Sequence, residues 1–242
     1  DDISGDFAHN PEPLPQHLTE LSEVVVKNKA QLGISVDPDV DRLAFVCEDG
    51  SMFGEEYTLV AIADHILSIT PGNTVSNLSS TRALADVTLK HGGQYFAAAV
   101  GEVNVVNLMK EKKAVIGGEG NGGVIVPDLH YGRDAVAGVA IFLTHLAYVK
   151  KSLSQIKSEL PQYVIIKDKM DIAGLDLDTI FANIKKNFVS EKINEIDGLK
   201  IDFANGWVHF RKSNTEPIVR IYAESQDEAS AKDLINRIKN VI

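Results

Sequence analysis

The chain has 242 residues, 44% hydrophobic and 24% charged, a balance that excludes a disordered or collagen-like polypeptide and allows one large domain or two modest ones. With 24 Lys and Arg against 34 Asp and Glu, the formal net charge is −10, which argues against a nucleic-acid backbone or an anionic membrane as the main partner. Positions 1–50 hold 3 basic and 11 acidic residues, so most of the acidity sits in the first fifth of the chain.

The start, Asp-Asp-Ile-Ser, has neither the basic residues nor the apolar stretch of a signal peptide, and no initiator Met; it reads as a cut within something longer. After Pro11, Pro13 and Pro15, the spacing of Leu18, Leu21, Val24 and Val25 predicts a helix over 16–30. Residues 32–36 and 43–47 read as short apolar strands flanking a loop with three aspartates, closed by a turn at 48–51. Cys47, in the second strand, is the sole cysteine, so a disulfide framework is impossible and a reducing, cytoplasmic setting is expected. Alternation follows: helix 55–69, strand 74–79, helix 82–91, strand 94–99, helix 102–112, strand 114–117, a glycine-rich loop, strand 123–126 and an apolar helix 134–149. This pattern predicts an α/β layer. No apolar run reaches the roughly 18–20 residues of a membrane-spanning helix. Residues 150–162 read as a polar connection. Beyond them a strand at 163–169, a helix at 177–188, strands near 199–204, 206–211 and 218–223, and a helix at 227–240 predict a small α+β domain.

Three loops carry candidate chemistry. In Asp37-Pro38-Asp39-Val40-Asp41-Arg42, carboxylates at alternate positions of an extended chain can converge on one point, and such crowding suits a hard cation, Mg²⁺ or Ca²⁺. A solvated acidic turn is the plainer reading. An EF-hand is excluded, because Arg42 stands where that loop needs Gly and the flanks read as strands. A haloacid-dehalogenase-type phosphatase, with Asp37 as nucleophile and Asp39 as acid/base, is a further alternative. In Gly117-Gly118-Glu119-Gly120-Asn121-Gly122-Gly123 the G-x-G-x-x-G spacing is present, but a strand and Pro127 follow where a dinucleotide fold needs a helix. The glycines are read as letting the backbone approach a ligand while Glu119 and Asn121 project toward polyol hydroxyls; a plain turn is the other reading. In Arg211-Lys212-Ser213-Asn214-Thr215-Glu216-Pro217, followed by Arg220, guanidinium forks, hydroxyls and free N–H groups suit a phosphate, and a polar hairpin connection is the alternative. His65, His91 and His145 lie on helices or helix ends without a second ligand at metal spacing and read as packing or surface residues. Trp207, Val208 and Phe210 read as core of the small domain, and His130 and Arg133 as residues near the site.

Taken in order, Asp-x-Asp-x-Asp-Arg, Gly-Glu-x-Asn-Gly-Gly and Arg-x-Ser-Asn-Thr-Glu-Pro resemble the metal-, sugar- and phosphate-binding loops of the α-D-phosphohexomutases. Gly5-Asp-Phe-Ala-His-Asn-Pro-Glu-Pro13 is similar to the segment that precedes the metal loop in the second domain of that family. The resemblance implies a C-terminal fragment: the end of domain 2 (1–49), an α/β/α sandwich domain 3 (50–152) and a TATA-box-binding-protein-like α+β domain 4 (160–242). It implies phosphoryl transfer between O1 and O6 of a hexose phosphate through a hexose 1,6-bisphosphate and a phosphoserine in the N-terminal domains, absent here, so that this fragment alone has no turnover. Asp37, Asp39 and Asp41 would hold Mg²⁺, and Arg42 would stabilise charge or assist proton transfer. Glu119 and Asn121 would bind sugar hydroxyls; Arg211, Ser213, Asn214, Thr215 and Arg220 would grip the non-reacting phosphate. Ala8-His9-Asn10-Pro11 imitates the family's serine loop, but Ala8 supplies no nucleophile. Gly123 and Glu102 stand where some members carry His, which leaves the hexose and the general acid and base open. A stand-alone sugar-phosphate-binding module is the alternative from a different class.

Overall fold

A 3-10 turn, Pro15–His17, precedes helix α1 (Thr19–Lys27), so the helix expected over 16–30 is shorter at both ends. Proline starts the tight turn, and Lys29 ends the segment with a left-handed φ of 51°. The structure, a computed structural model, describes residues 4–7, 9–171, 176–213 and 217–241, and divides into two units, Asp1–Pro161 and Gln162–Ile242.

In the first unit, β1 (Leu32–Val36) and β2 (Leu43–Cys47) pair antiparallel, with Val36 opposite Leu43. All five residues of β2 are buried. Val25 of α1 packs against Ala44 and Val46. Helix α2 (Glu55–Ile69) leads into a four-stranded sheet of order β4-β3-β5-β6, made of β3 (Asn73–Asn77), β4 (Tyr95–Ala98), β5 (Ala114–Glu119) and β6 (Gly123–Ile125). Helices α3 (Ala83–Lys90) and α4 (Glu102–Lys112) connect its parallel strands, as βαβ connections require. β6 folds back antiparallel on β5. Helix α5 (Ala135–Val149) follows. Phe142 on α5 stacks on Phe45 of β2 at 4.3 Å, and Phe53 meets both rings edge-on. This aromatic cluster joins β2 to α5, the two elements that flank the acidic loop and the chain entering α5.

The expected connection at 150–162 contains a helix, α6 (Leu153–Glu159). Ser152 and Gln155 form a reciprocal capping box, and Leu153 and Ile156 are buried. Glu48, just past β2, accepts from the Ser154 hydroxyl and N–H. Burial opposes its charge, but the Ser152 and Ser154 hydroxyls outweigh that and hold Glu48 down at about 2.

In the second unit β7 (Val164–Asp171), β8 (Lys192–Asn194), β9 (Leu199–Phe203), β10 (Gly206–Lys212) and β11 (Ile218–Ser225) form an antiparallel sheet of order β7-β11-β10-β9-β8. Helices α7 (Leu177–Asn187) and α8 (Glu228–Lys239) cover one face through Ile180, Ile184, Leu234 and Ile238. Strand β8 is short and polar, and so escapes a search for apolar alternation. Val208 and Phe210 belong to the helix-covered core, whereas Trp207 points to the opposite face, as strand alternation requires. There it is buried, its Nε1 donates to Glu224 Oε1 at 2.7 Å, and the Lys200 ammonium lies 4.2 Å from its ring centroid. No single described helix is long and apolar enough to cross a membrane.

Two outcomes follow for stability. Phe142→Ala should destabilise the first unit by about 3–5 kcal/mol in urea unfolding, the usual effect of removing a fully buried ring. Glu48 has a folded pKa below its unfolded value, so its contribution is complete above about pH 4.5 and declines as pH falls toward 2. Thermal melts between pH 2 and 6 should show less loss of stability on acidification for Glu48→Gln than for the parent.

Candidate functional site

The link between β1 and β2 is a tight turn. The Val40 N–H donates to the Asp37 carbonyl at 3.0 Å, and Val40 takes a left-handed φ of 59°. Asp37 Oδ1 accepts from the backbone N–H groups of Asp41 (3.0 Å) and Arg42 (2.9 Å). One oxygen from each of Asp37, Asp39 and Asp41 lies within 4.8 Å of the others. The three carboxylates therefore do converge, but through a turn rather than through alternation along an extended chain. Asp37 is buried, Asp41 half-buried and Asp39 exposed. Burial raises Asp37, yet the Arg42 N–H and the contacts with Asp41 leave it below the ordinary carboxylate range. Burial raises Asp41, Arg133 opposes this, and Asp37 adds to it, so Asp41 lies above that range. Two adjacent carboxylates pushed in opposite directions are the signature of crowded negative charge.

The acidic turn is tied to the glycine loop through the backbone. Arg42 and Gly123 form a β-bridge, and the Leu43 N–H donates to the Gly122 carbonyl at 3.1 Å. The Arg42 side chain leaves this bridge to pair with Glu12 at 2.9 Å, with Nε 3.5 Å from Asp37 Oδ2. Gly122 has φ +88°, and a Cβ there would sit 2.3 Å from the Leu43 carbonyl oxygen. A Cβ on Gly123 would sit 2.3 Å from Arg133 Cδ. Gly122 and Gly123 are thus needed for the loop to pack against Leu43 and Arg133.

Glu119 is 5% exposed. Its Oε1 accepts from Asn77 Nδ2 (2.8 Å) and the Gly101 N–H (3.1 Å), and its Oε2 pairs with Arg133 Nη1 at 2.9 Å. Asn121 Oδ1 accepts from the Gly123 N–H at 3.1 Å, which fixes the loop and leaves the amide Nδ2 as its donor. Arg133 also pairs through Nη2 with Asp41 Oδ2 and through Nε with Glu102 Oε2 at 3.3 Å. His130, near it in sequence, bonds Asp134 at 2.9 Å. The sequence places Arg133 near the site and marks Glu102 as an acid at a position where some family members carry His, but gives no sign that the two pair, and it does not point to Asn77.

The donor set can be tested against a divalent ion. Asp41 Oδ1 is buried and makes no hydrogen bond, an arrangement that a cation would satisfy. Among the described residues Glu12, Asp37, Asp39, Asp41, Glu102 and Glu119 share only two guanidinium groups, Arg42 and Arg133. Hard oxygen donors and surplus negative charge fit Mg²⁺.

In the second unit Arg211 of β10 lies directly opposite Arg220 of β11, which lies opposite Lys169 of β7. Like charges in one cross-strand row repel, so this row suits an anion. Arg211 Nε is 3.1 Å from Asp197 Oδ2, and the Asp197 carbonyl accepts from His209 Nε2 at 2.6 Å. Burial holds the His209 ring below its ordinary pKa. Ser213 is buried, its N–H donating to the Ile218 carbonyl at 2.9 Å. Asn214 and Thr215 lie outside the described residues, as does Ala8. Lys167, Asp168, Lys169, Ile218, Arg220 and Tyr222 line an open cavity of about 420 Å³. Elsewhere His65 and His145 face each other with Nδ1 atoms 3.2 Å apart, and His91 bonds Asp64 at 2.7 Å.

Comparison with known families matches residues 1–50 to the phosphoglucomutase/phosphomannomutase alpha/beta/alpha domain II, residues 54–164 to alpha/beta/alpha domain III and residues 163–241 to the C-terminal domain of the same family. A phosphoglucomutase/phosphomannomutase of Thermococcus kodakarensis is 35% identical over 94% of this chain and 50% of its own length. The crystal structure of a phosphoglucomutase/phosphomannomutase family protein from Burkholderia thailandensis superposes with a TM-score of 0.81 at 27% identity, covering 96% of this chain and 50% of that one. An N-acetylphosphoglucosamine mutase of Aspergillus fumigatus, solved with GlcNAc-6P and magnesium, shares the fold alone, with a TM-score of 0.64, 14% identity and coverage of 86% and 51%. The chain spans about half the length of these relatives.

Because Gly122 is held by both a positive φ and a backbone neighbour, Gly122→Ala should lower stability by about 2 kcal/mol or more. Urea unfolding measures this, and a variant as stable as the parent would contradict the packing described.

Proposed function

The chain belongs to the phosphoglucomutase/phosphomannomutase family, and from that membership we propose that it carries the metal-, sugar- and phosphate-binding loops of a phosphohexomutase. The whole enzyme would transfer a phosphoryl group between O1 and O6 of a hexose phosphate in the cytoplasm, through a hexose 1,6-bisphosphate. The observation that carries the reading is the convergence of Asp37, Asp39 and Asp41 beside a glycine loop to which their turn is bonded.

A Mg²⁺ held by these three aspartates would offset the charge that develops on the transferred phosphoryl group. Arg42, fixed by its bridge to Gly123 and its pairing with Glu12, would present a guanidinium to the same phosphoryl oxygens. Asn121 would offer its amide to sugar hydroxyls, and Glu119, already oriented by Asn77 and Gly101, would do so with the oxygen that Arg133 holds. Arg211, with Ser213, Asn214, Thr215 and Arg220, would grip the phosphate that does not react. A site gripping a non-reacting phosphate must hold it in either orientation of the bisphosphate, and such anchoring orients the attacking hydroxyl. The 242 residues contain no Thr-x-Ser-His-Asn-Pro loop, and the phosphoserine would belong to the N-terminal domains of the relatives.

Calorimetric titration of the chain with glucose 6-phosphate in Mg²⁺ tests the binding assignments. Arg211→Ala should weaken binding by roughly ten- to a hundredfold, the effect of losing hydrogen bonds to a charged group. Unchanged affinity contradicts the phosphate assignment. In parallel, the chain alone should not interconvert hexose 1- and 6-phosphates; turnover without added protein contradicts the proposed dependence on an external phosphoserine. Phosphate release from a generic ester, abolished by Asp37→Asn, would favour a phosphatase instead.

A further inference from the structure

Arg133 lies immediately before Asp134, the N-cap of α5, and its own N–H donates to Glu102 Oε1 at 3.0 Å. From this fixed backbone the side chain, 13% exposed, reaches the two loops of the first unit: Nη2 bonds Asp41 Oδ2, and Nη1 bonds Glu119 Oε2 at 2.9 Å. Its Cδ occupies the space that a Cβ on Gly123 would need. Asp41 therefore divides its carboxylate, giving Oδ2 to Arg133 while Oδ1 stays buried without a hydrogen bond. Three carboxylates, Asp41, Glu102 and Glu119, surround this one guanidinium, and Asp37 and Asp39 add negative charge beside Asp41. Partly buried charges of one sign in such number need compensation that water does not supply.

We propose that Arg133 is a positioning residue that acts as an internal counter-ion. It compensates the acid cluster in place of part of a divalent cation's charge, and so sets how tightly Asp37, Asp39 and Asp41 take that cation while keeping Glu119 in line with them. The inference rests on the assignment of these aspartates as the cation site. A guanidinium on Asp41 opposes a cation at the same carboxylate, so the two occupancies are thermodynamically linked.

The test uses the 242-residue chain, Mn²⁺ titration followed by electron paramagnetic resonance, and thermal melts with and without Mg²⁺. Arg133→Gln should melt lower than the parent without metal, bind Mn²⁺ on the order of fivefold more tightly or better, and gain more in melting temperature from saturating Mg²⁺. Equal Mn²⁺ affinity and an equal Mg²⁺ shift in parent and variant overturn the inference while leaving the aspartate assignment intact. Absence of Mn²⁺ binding in the parent overturns both. Should the Gln variant not fold, Arg133→Lys carries the test. One ammonium cannot fork onto both Asp41 and Glu119, so Mg²⁺ must raise its melting temperature more than the parent's, and an equal rise contradicts the inference.

Discussion

Crowded carboxylates set the terms for the first unit. Asp37, Asp39 and Asp41 bring oxygens within 4.8 Å of one another, close enough that mutual repulsion would open the turn if nothing opposed it. The opposition is built from the chain itself. Backbone N–H groups of Asp41 and Arg42 point at Asp37 Oδ1, the Arg42 guanidinium lies beside Asp37, and Arg133 holds Asp41 from the other side. Asp41 Oδ1 is left without a hydrogen bond, with Arg42 Nε 3.8 Å away, and Asp39 is left exposed. The acid surplus of the chain is thus a local device, and an anionic substrate is compatible with an acidic protein because cations are placed at particular points.

Holding that arrangement requires close approach between elements far apart in sequence. The bridge between Arg42 and Gly123 and the contact of Gly122 with Leu43 fasten the glycine loop to the end of the acidic turn. Phe45, Phe53 and Phe142 fasten β2 to α5, whose preceding residues carry Arg133. Core packing, backbone pairing and ion pairing therefore all act on the same few residues. The second unit solves a different problem with a sheet. Its helix-covered face holds the core, and its other face sets Arg211, Arg220 and Lys169 in one row, with Asp197 steadying Arg211.

Much of this is legible in the sequence where the signal is local. The helix and strand periods of the first unit, the three aspartates, the glycine loop and the Arg-bracketed polar loop are all contiguous, so composition and spacing expose them. The three-residue polar strand β8 and the seven-residue helix α6 are too short for periodicity, although the Ser152–Gln155 capping box was present as a signal for the latter. The side of the sheet taken by Trp207 follows from alternation with Val208, and grouping Trp207 with Val208 and Phe210 overlooked it. Residues that act through partners distant in sequence left no such trace. Glu102 meets Arg133 across 31 positions and Asn77 meets Glu119 across 42, and only the fold brings them together. Spacing marks the glycines of the 117–123 loop, but only the fold shows that Gly122 and Gly123 make room for Leu43 and Arg133.

Everything proposed for the first unit turns on a divalent cation being held by Asp37, Asp39 and Asp41. Anomalous diffraction from crystals of the chain grown with Mn²⁺ addresses it most directly. One strong anomalous peak is expected within coordination distance of an oxygen from each of Asp37, Asp39 and Asp41, lost in Asp39→Asn crystals of the same form. No peak at the turn under saturating Mn²⁺, or a peak that persists without Asp39, would contradict it.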